Sequence, residues 1–217
     1  MNKELFLSRR FIVTGLIALF SVLFLGYFTQ SDTVNPIFQM LLISIAIFLV
    51  VPVLYCKIVL REPLGNLGWQ SGKLFAGIFV STLSVAVGLG VIFALSYYTS
   101  FEERFLFPAA VQSSFIGFVL YEALLVPFTV FLYEVFFRGF LQKLWLGVLG
   151  IWAVLLQSGF FVGLLYLADD LSWQRIPALI FAPLSGLIVY YSGSLWYSWA
   201  ASFLFFFLTD IFLLIYR

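Results

Sequence analysis

The sequence predicts an all-helical integral membrane protein that crosses the bilayer several times. Of its 217 residues, 64% are hydrophobic and only 10% are charged, whereas roughly a quarter are charged in soluble domains. Apolar runs of about 20 residues, the length that a membrane-spanning helix requires, recur along the whole chain. We therefore expect a single transmembrane domain, residues 1–217, built as a bundle of about seven helices.

Seven apolar runs define the predicted spans, and short polar segments separate them. The spans cover residues 11–28, 37–55, 74–98, 114–143, 145–167, 176–191 and 195–216. The polar segments lie at 30–36, 61–73, 100–108, 169–175 and 192–194. Pro127 falls inside the fourth span, where a proline removes a backbone donor and favours a bend.

The basic residues predict which side of the membrane each end occupies. When the spans alternate, eight of the eleven Lys and Arg residues fall on one side: Lys3, Arg9, Arg10, Lys57, Arg61, Lys73, Arg138 and Lys143. Because the cytoplasmic loops of membrane proteins are enriched in basic residues, this side is predicted to be cytoplasmic, with the N-terminus inside.

Composition also argues against several classes of function. The net charge of +1 offers no basic patch for a nucleic acid. The chain has no histidine, which is the commonest metal ligand and the usual axial ligand of haem. We therefore expect no metal and no cofactor. The lone Cys56 can form no internal disulfide and is interpreted as a buried thiol.

Glu134 and Arg138 lie within an aromatic and aliphatic run near the middle of the chain. Residues four apart share one face of a helix, and an acid on the N-terminal side of a base is the favourable order. A charge inside a membrane is costly unless it is paired. We interpret the two residues as a structural ion pair, with a catalytic role in a rearranged site as the alternative.

The segment Glu134-x-x-x-Arg138-Gly139-Phe140-Leu141 resembles the first motif of the CPBP family. These CAAX-protease and bacteriocin-processing membrane proteins, also called Abi proteins, carry Glu-Glu-x-x-x-Arg-Gly-hydrophobic-Leu there. Residues 158–167 resemble the second motif, a helix with Phe-x-x-x-His. Residues 186–206, with the Ser192-Gly193-Ser194-Leu195-Trp196 turn, resemble the third, in which a His-x-x-x-Asn follows. The resemblance covers approximately residues 60–215 and implies a CPBP-like helical bundle.

The resemblance also implies that the reactive positions of the family are altered here. The water-activating glutamate falls on Tyr133, the histidine of the second motif on Tyr166, and the last histidine and asparagine on Ser202 and Phe206. Peptide hydrolysis without a metal needs a base, a proton donor and donors for the oxyanion. Tyrosine ionises near pH 10 and is a poor base at neutral pH, and Phe206 carries no polar atom.

These substitutions predict a pseudoprotease that binds other integral membrane proteins as a scaffold, assembly factor or accessory subunit. It would lie in the bilayer of a bacterial cytoplasmic membrane, and the sequence leaves homo-oligomerisation open. On this hypothesis Tyr133, Tyr166 and Phe206 fill the former active-site cavity. The alternative is an active endopeptidase rearranged around Glu134, which a water-accessible cavity from the cytoplasmic side to Glu134 would favour.

Two further acids and a pair of glycines lie inside predicted spans. Glu122 is interpreted as a protonated or hydrogen-bonded glutamate in a helix contact, and a transporter or lipid-binding protein that uses Glu122 is a second alternative. Asp210 is expected to approach the outer interface with Thr209, although it could instead face the former pocket. Gly159 and Gly163 are expected to pack internally, with a dimer seam as the alternative.

Overall fold

The computed structural model describes residues 3–28, 35–107, 111 and 114–216, and within them every regular element is helical. The seven long helices are α1 (Lys3–Gly26), α2 (36–60), α3 (Leu74–Thr99), α4 (Phe115–Leu149), α5 (Trp152–Leu167), α6 (Ile176–Ser192) and α7 (Leu195–Tyr216). Short helical turns lie at Leu64–Leu67, Phe101–Arg104 and Trp173–Arg175. Most of the predicted turn at 30–36, with Pro108 and Arg217, lies outside the described residues.

The predicted polytopic helical bundle is confirmed, with one correction to its fifth span. Six helices in the described part of the chain are long and apolar enough to cross a membrane, and α5 is shorter. The prediction that this span begins at Trp145 is wrong, because α4 continues to Leu149 and ends at Gly150, whose φ is +55°. With 16 residues, α5 is about 24 Å long, less than the roughly 30 Å of hydrocarbon.

Helix α4 departs from regular α-helical geometry in two places. It widens into π-helical turns at Tyr121–Leu125, directly before Pro127, and again at Glu134–Gln142. The first of these follows from chemistry, because Pro127 cannot donate a hydrogen bond to the turn before it. Helix α7 contacts α4 at this position, since the Trp199 Nε1–H donates to the Pro127 carbonyl at 2.9 Å.

The two ends of the bundle are distinguished by their polar contacts. At one end, Arg10 forms an ion pair with Glu62 at 2.8 Å, and Lys143 Nζ donates to the Gly193 carbonyl at 3.1 Å. We call this end, which carries residues of the predicted cytoplasmic side, the basic face. At the opposite face, Arg104 lies 4.7 Å from the centroid of the Trp173 ring.

Helix α6 lies at the centre of the bundle, where it packs against α3, α5 and α7. One hydrophobic core surrounds the aromatic residues of α4, in which Phe136, Phe137 and Phe140 are fully buried. A second core joins α3, α6 and α7, with Phe181 stacked on Phe205 at 4.4 Å. The segment from Tyr133 to Gln142 is therefore part of the first core, whose packing holds its side chains in place.

Candidate functional site

A cavity of about 300 Å³ lies between α4, α5, α6 and α7. Its walls are apolar and include Val126, Val130, Phe161, Leu165, Phe181 and Phe206. Glu134, Arg138 and Ser202 form one end, which we call the floor. Gln174, Arg175 and Asp210 line the other end, which we call the mouth and which lies toward the opposite face. Ser202 and Asp210 are eight residues apart on α7, so floor and mouth are about 12 Å apart.

The carboxylate of Glu134 is held by two hydroxyl groups of α7. Ser198 Oγ donates to Oε2 at 2.6 Å and Ser202 Oγ donates to Oε1 at 2.9 Å. Ser198 also lies 3.1 Å from the Ser185 carbonyl, but a hydroxyl has one proton, and the shorter bond to the carboxylate is the stronger one. Both oxygens of this buried acid are thus hydrogen-bonded within the protein.

Arg138 lies beside Glu134, as their spacing predicts, with Nε 3.8 Å from Glu134 Oε1. This is an ion-pair distance and too long for a hydrogen bond. The guanidinium Nη2 donates to the Ala182 carbonyl of α6 at 3.2 Å. The ion pair is therefore present, and Arg138 also joins α4 to α6.

Two glutamines form a polar layer behind the floor. Gln142 Nε2 donates to the Gly186 carbonyl at 2.7 Å, and Gln157 Nε2 donates to the Ala182 carbonyl at 3.0 Å. Both glutamine side chains approach α6 closely at residue 186, which is a glycine. A Cβ there would lie 2.8 Å from Gln157 Nε2 and 3.0 Å from Gln142 Oε1. This contact gives a physical reason for the glycine in the third motif.

The glycine of the first motif is explained by a similar close approach. A Cβ on Gly139 would lie 2.8 Å from the Leu67 carbonyl oxygen and 3.0 Å from Leu195 Cδ1. Leu195, in the turn between α6 and α7, also donates its backbone N–H to the Gly68 carbonyl at 2.9 Å. The first and third motifs therefore meet at the 61–73 loop, next to the basic face.

The prediction that three aromatic residues fill the cavity is wrong. Tyr166 is 72% exposed on the outside of the bundle, and the cavity-facing residue on this turn of α5 is Leu165. Tyr133 and Phe206 do line the cavity, and the Tyr133 ring packs against Phe48 and Phe161 at 5.1 and 5.6 Å. They leave a cavity that reaches Glu134, although its mouth is at the opposite face and not at the predicted cytoplasmic side.

Glu122 and Asp210, which the sequence presents as separate acids, are neighbours across the α4–α7 contact. Their exposed fractions are 3% and 8%, and their carboxyl groups lie within reach of each other. Neither oxygen of Glu122 has a donor among the described residues. Two carboxyl groups can bond to each other only through a shared proton. Asp210 lines the mouth of the cavity and Thr209 is fully buried, which supports the alternative that Asp210 faces the former pocket.

Gly159 and Gly163 do not pack internally as expected. A Cβ on either residue would have no heavy atom within 4 Å among the described residues. Gly159 and Gly163 therefore face outward on α5. The prediction that another helix of this chain packs closely against them is wrong for the described residues.

Sequence reasoning missed several buried polar residues behind the floor, namely Ser185, Ser198, Gln142 and Gln157. The spacing of two of these residues could have identified them, because Ser198 precedes Ser202 by four residues and Gln142 follows Arg138 by four. Residues with this spacing share a helix face. Polar side chains on one face of an apolar span point to a buried polar layer. Within the described ranges, His, Cys, Asp and Glu form no group of three or more that could hold a metal ion.

Comparison with known proteins gives one match. No curated protein and no solved structure matches the chain. A family model described as "Type II CAAX prenyl endopeptidase Rce1-like" matches residues 112–208, a region that contains α4 to α6, most of α7 and the whole floor of the cavity. The resemblance to the CAAX protease-like membrane proteins of the CPBP family is thereby confirmed over residues 112–208.

Proposed function

We propose that this protein is a catalytically inactive CAAX protease-like membrane protein that acts by binding other integral membrane proteins. The observation that carries the proposal is the state of Glu134. Each of its carboxylate oxygens accepts a hydrogen bond from a buried serine of α7. A base that activates water must accept a proton from that water, and here protein hydroxyl groups already use about half of the roughly four acceptor sites of the carboxylate, which lowers its capacity to bind and activate water.

The other cavity-lining residues support the proposal. At the aligned position of the water-activating base, Tyr133 packs among aromatic rings, and Leu165 and Phe206 contribute only apolar surface to the cavity. Loss of one oxyanion donor costs about a hundred- to a thousandfold in rate, and loss of an acid or base costs about a hundred- to ten-thousandfold. Such losses do not simply multiply, but together they leave little turnover.

A cleavage assay tests the inactivity. The purified protein in lipid vesicles is incubated with peptides and prenyl peptides, and product formation is measured for the wild type and for Glu134→Gln. We expect no turnover above that of empty vesicles in either case. Turnover by the wild type that is lost in Glu134→Gln would refute the proposal.

The binding role is tested by recovery of partners. We expect the protein to co-purify with another integral membrane protein in mild detergent and to crosslink to it in cells. A protein found only as a free monomer after crosslinking would contradict the proposed role as scaffold, assembly factor or accessory subunit.

One observation favours the second candidate, an active endopeptidase rearranged around Glu134. The cavity reaches Glu134 and is not filled by aromatic side chains. On this hypothesis water binds at the acceptor sites of the carboxylate that the two serines leave open. The double variant Ser198→Ala/Ser202→Ala separates the candidates, because freeing Glu134 would raise turnover in an endopeptidase and leave it at zero in an inactive protein.

A further inference from the structure

Arg138 is the donor on the cavity floor that the protein itself uses least. A guanidinium carries five N–H donors. Within the described residues, Nη2 donates to the Ala182 carbonyl, and Nε is enclosed 3.8 Å from Glu134 Oε1 without a hydrogen bond. Nη1 forms no hydrogen bond among these residues and is not enclosed, so its N–H groups are the donors available to a ligand. Arg138 is nine-tenths buried and lines the cavity. Because buried polar groups are almost always hydrogen-bonded, this side chain points to an acceptor oxygen in the occupant of the cavity.

The charges around Arg138 restrict that acceptor to a neutral group. The positive charge of Arg138 is already balanced by Glu134, at 3.8 Å. At the mouth, Asp210 adds an acidic group, and the charge of Arg175 is already paired with Asp170. An anionic ligand would bring an unbalanced negative charge into a buried region of the membrane, where it is costly. A carbonyl oxygen satisfies the guanidinium without adding charge.

The walls of the cavity indicate the rest of the ligand. Between floor and mouth they are formed largely by aliphatic and aromatic side chains. The volume of about 300 Å³ is at the lower end of the roughly 300–1,000 Å³ of small-molecule sites, which favours a single chain. Leu125 lines the cavity and is 42% exposed, so an apolar chain can reach the lipid-facing surface beside it.

A lipid carbonyl fits this site better than a peptide carbonyl. Each peptide unit brings an N–H donor together with its carbonyl, and that donor needs an acceptor in the cavity. Glu134, the acceptor on the floor, already receives two of the roughly four hydrogen bonds that a carboxylate can accept, so it has less capacity for a further donor. An ester has no N–H and leaves no donor unsatisfied.

We propose that the cavity binds a neutral single-chain acyl ester whose carbonyl oxygen accepts a hydrogen bond from Arg138. The acyl chain lies along Val126, Val130 and Phe206. This binding site does not depend on whether the protein cleaves peptides or on which membrane protein it contacts, so it can fail or succeed independently of the proposed function.

A matched pair of lipids tests the carbonyl directly. 1-Lauroylglycerol and its ether analogue 1-dodecylglycerol have the same head group and chain length, and only the ester has a carbonyl. Binding of each to the purified protein is measured by native mass spectrometry at increasing lipid concentration. We expect saturable binding of one ester per chain and about tenfold weaker binding of the ether, the effect of one hydrogen bond to a charged donor.

Three variants test whether Arg138 causes the preference for the ester. In Arg138→Met the ester and ether should bind equally within about twofold. Arg175→Met, at the mouth of the same cavity, should keep the tenfold preference. If Arg138→Met fails to fold, Ala178→Phe fills the cavity from α6, leaves Arg138 in place and should abolish the binding of both lipids.

Five outcomes would overturn the inference, four of them with the lipids themselves. These are equal binding of ester and ether to the wild type, a preference that persists in Arg138→Met, unchanged binding in Ala178→Phe, and tighter binding of laurate than of the ester. Laurate is the test of an anion site. A prenyl peptide that binds where neither glycerol lipid does would assign the cavity to peptides and would also overturn it.

Discussion

Two buried glutamates on the same helix have opposite surroundings. Glu134 and Glu122 lie twelve residues apart on α4, and each faces α7. Glu134 meets two serine hydroxyls and lies beside Arg138. Glu122 meets another acid, Asp210, and its oxygens have no donor among the described residues. The same residue type at the same helix interface is therefore stabilised at one position and left without a donor at the other.

The difference shows what determines whether a buried acid stabilises a membrane protein. The burial of the two glutamates is nearly equal, at 2% and 3% exposure for Glu134 and Glu122. Burial alone therefore does not distinguish the two glutamates. They differ in the side chains of α7 that face them. A buried carboxylate with donors and a cation is a stable part of the structure, whereas one without them is costly. We expect substitutions at the two positions to have opposite effects on stability.

The largest effect is expected from removal of both donors to Glu134. The double variant Ser198→Ala/Ser202→Ala leaves a buried carboxylate without its hydroxyl partners, at a cost of about 1–3 kcal/mol for each lost bond. Its apparent melting temperature in detergent should fall strongly. As the control, the same double change in a Glu134→Gln background should cost clearly less. Equal losses in both backgrounds would show that the serines do not act through the Glu134 charge.

The packing behind the floor is tested by Gly186→Ala. The new Cβ would lie 2.8 Å from Gln157 Nε2 and 2.9 Å from Val154 Cγ1, and such overpacking costs about 1–3 kcal/mol. Gly159→Ala is the matched control, because a Cβ there meets no described atom within 4 Å. Thermal unfolding should show a loss for the first variant and none for the second. If both behave alike, the polar layer is looser than the contacts indicate.

The direct comparison uses the same change at both acids. Glu122→Gln removes one of two facing carboxyl groups and gives Asp210 an amide donor, so we expect a gain in stability of about 0.5–1.5 kcal/mol. Glu134→Gln removes the charge opposite Arg138 and should destabilise the protein. Melting temperatures of the two variants, measured side by side, should shift in opposite directions. A loss of stability in Glu122→Gln would mean that the acid pair is itself stabilising.

The smallest effect is expected at the exposed ion pair near the mouth. Arg175 donates from Nε to Asp170 at 2.7 Å, and both side chains are more than a third exposed. Pairs of this kind contribute about 0–1 kcal/mol. Arg175→Gln should therefore change the melting temperature little. A large decrease would indicate that the mouth is more buried in the membrane than its exposure suggests.

Much of the fold follows from local patterns. Long apolar runs predicted the membrane spans, since a helix that crosses lipid must satisfy its backbone internally and present apolar side chains. The contact between Glu134 and Arg138 followed from their spacing of four residues. The end of α4 was harder to predict, because an apolar residue such as Trp145 fits the end of one helix as well as the start of the next. The turn at Gly150 ends α4 four residues after Trp145, at Leu149.

The candidate site was predicted only in part. The positions of Tyr133, Glu134, Arg138, Ser202 and Phe206 at one cavity are as the motifs indicated. Tyr166 was misplaced by one residue, and on a helix one residue is a rotation of about 100°, which is enough to move its side chain from the cavity to the lipid-facing surface. Leu165 took the inward position.

Hydropathy and helical spacing are local properties that can be read directly from the residues. They were enough to predict a membrane-embedded helical bundle with an acid and a base on one face of its fourth long helix. Three features depend on the tertiary packing. Ser198 and Ser202 donate hydrogen bonds to Glu134, Glu122 lies next to Asp210, and a cavity remains beside Arg138. These contacts join residues 64, 68 and 88 positions apart in the chain. Their existence depends on how α4 and α7 are rotated against each other, which the packing of the whole bundle sets.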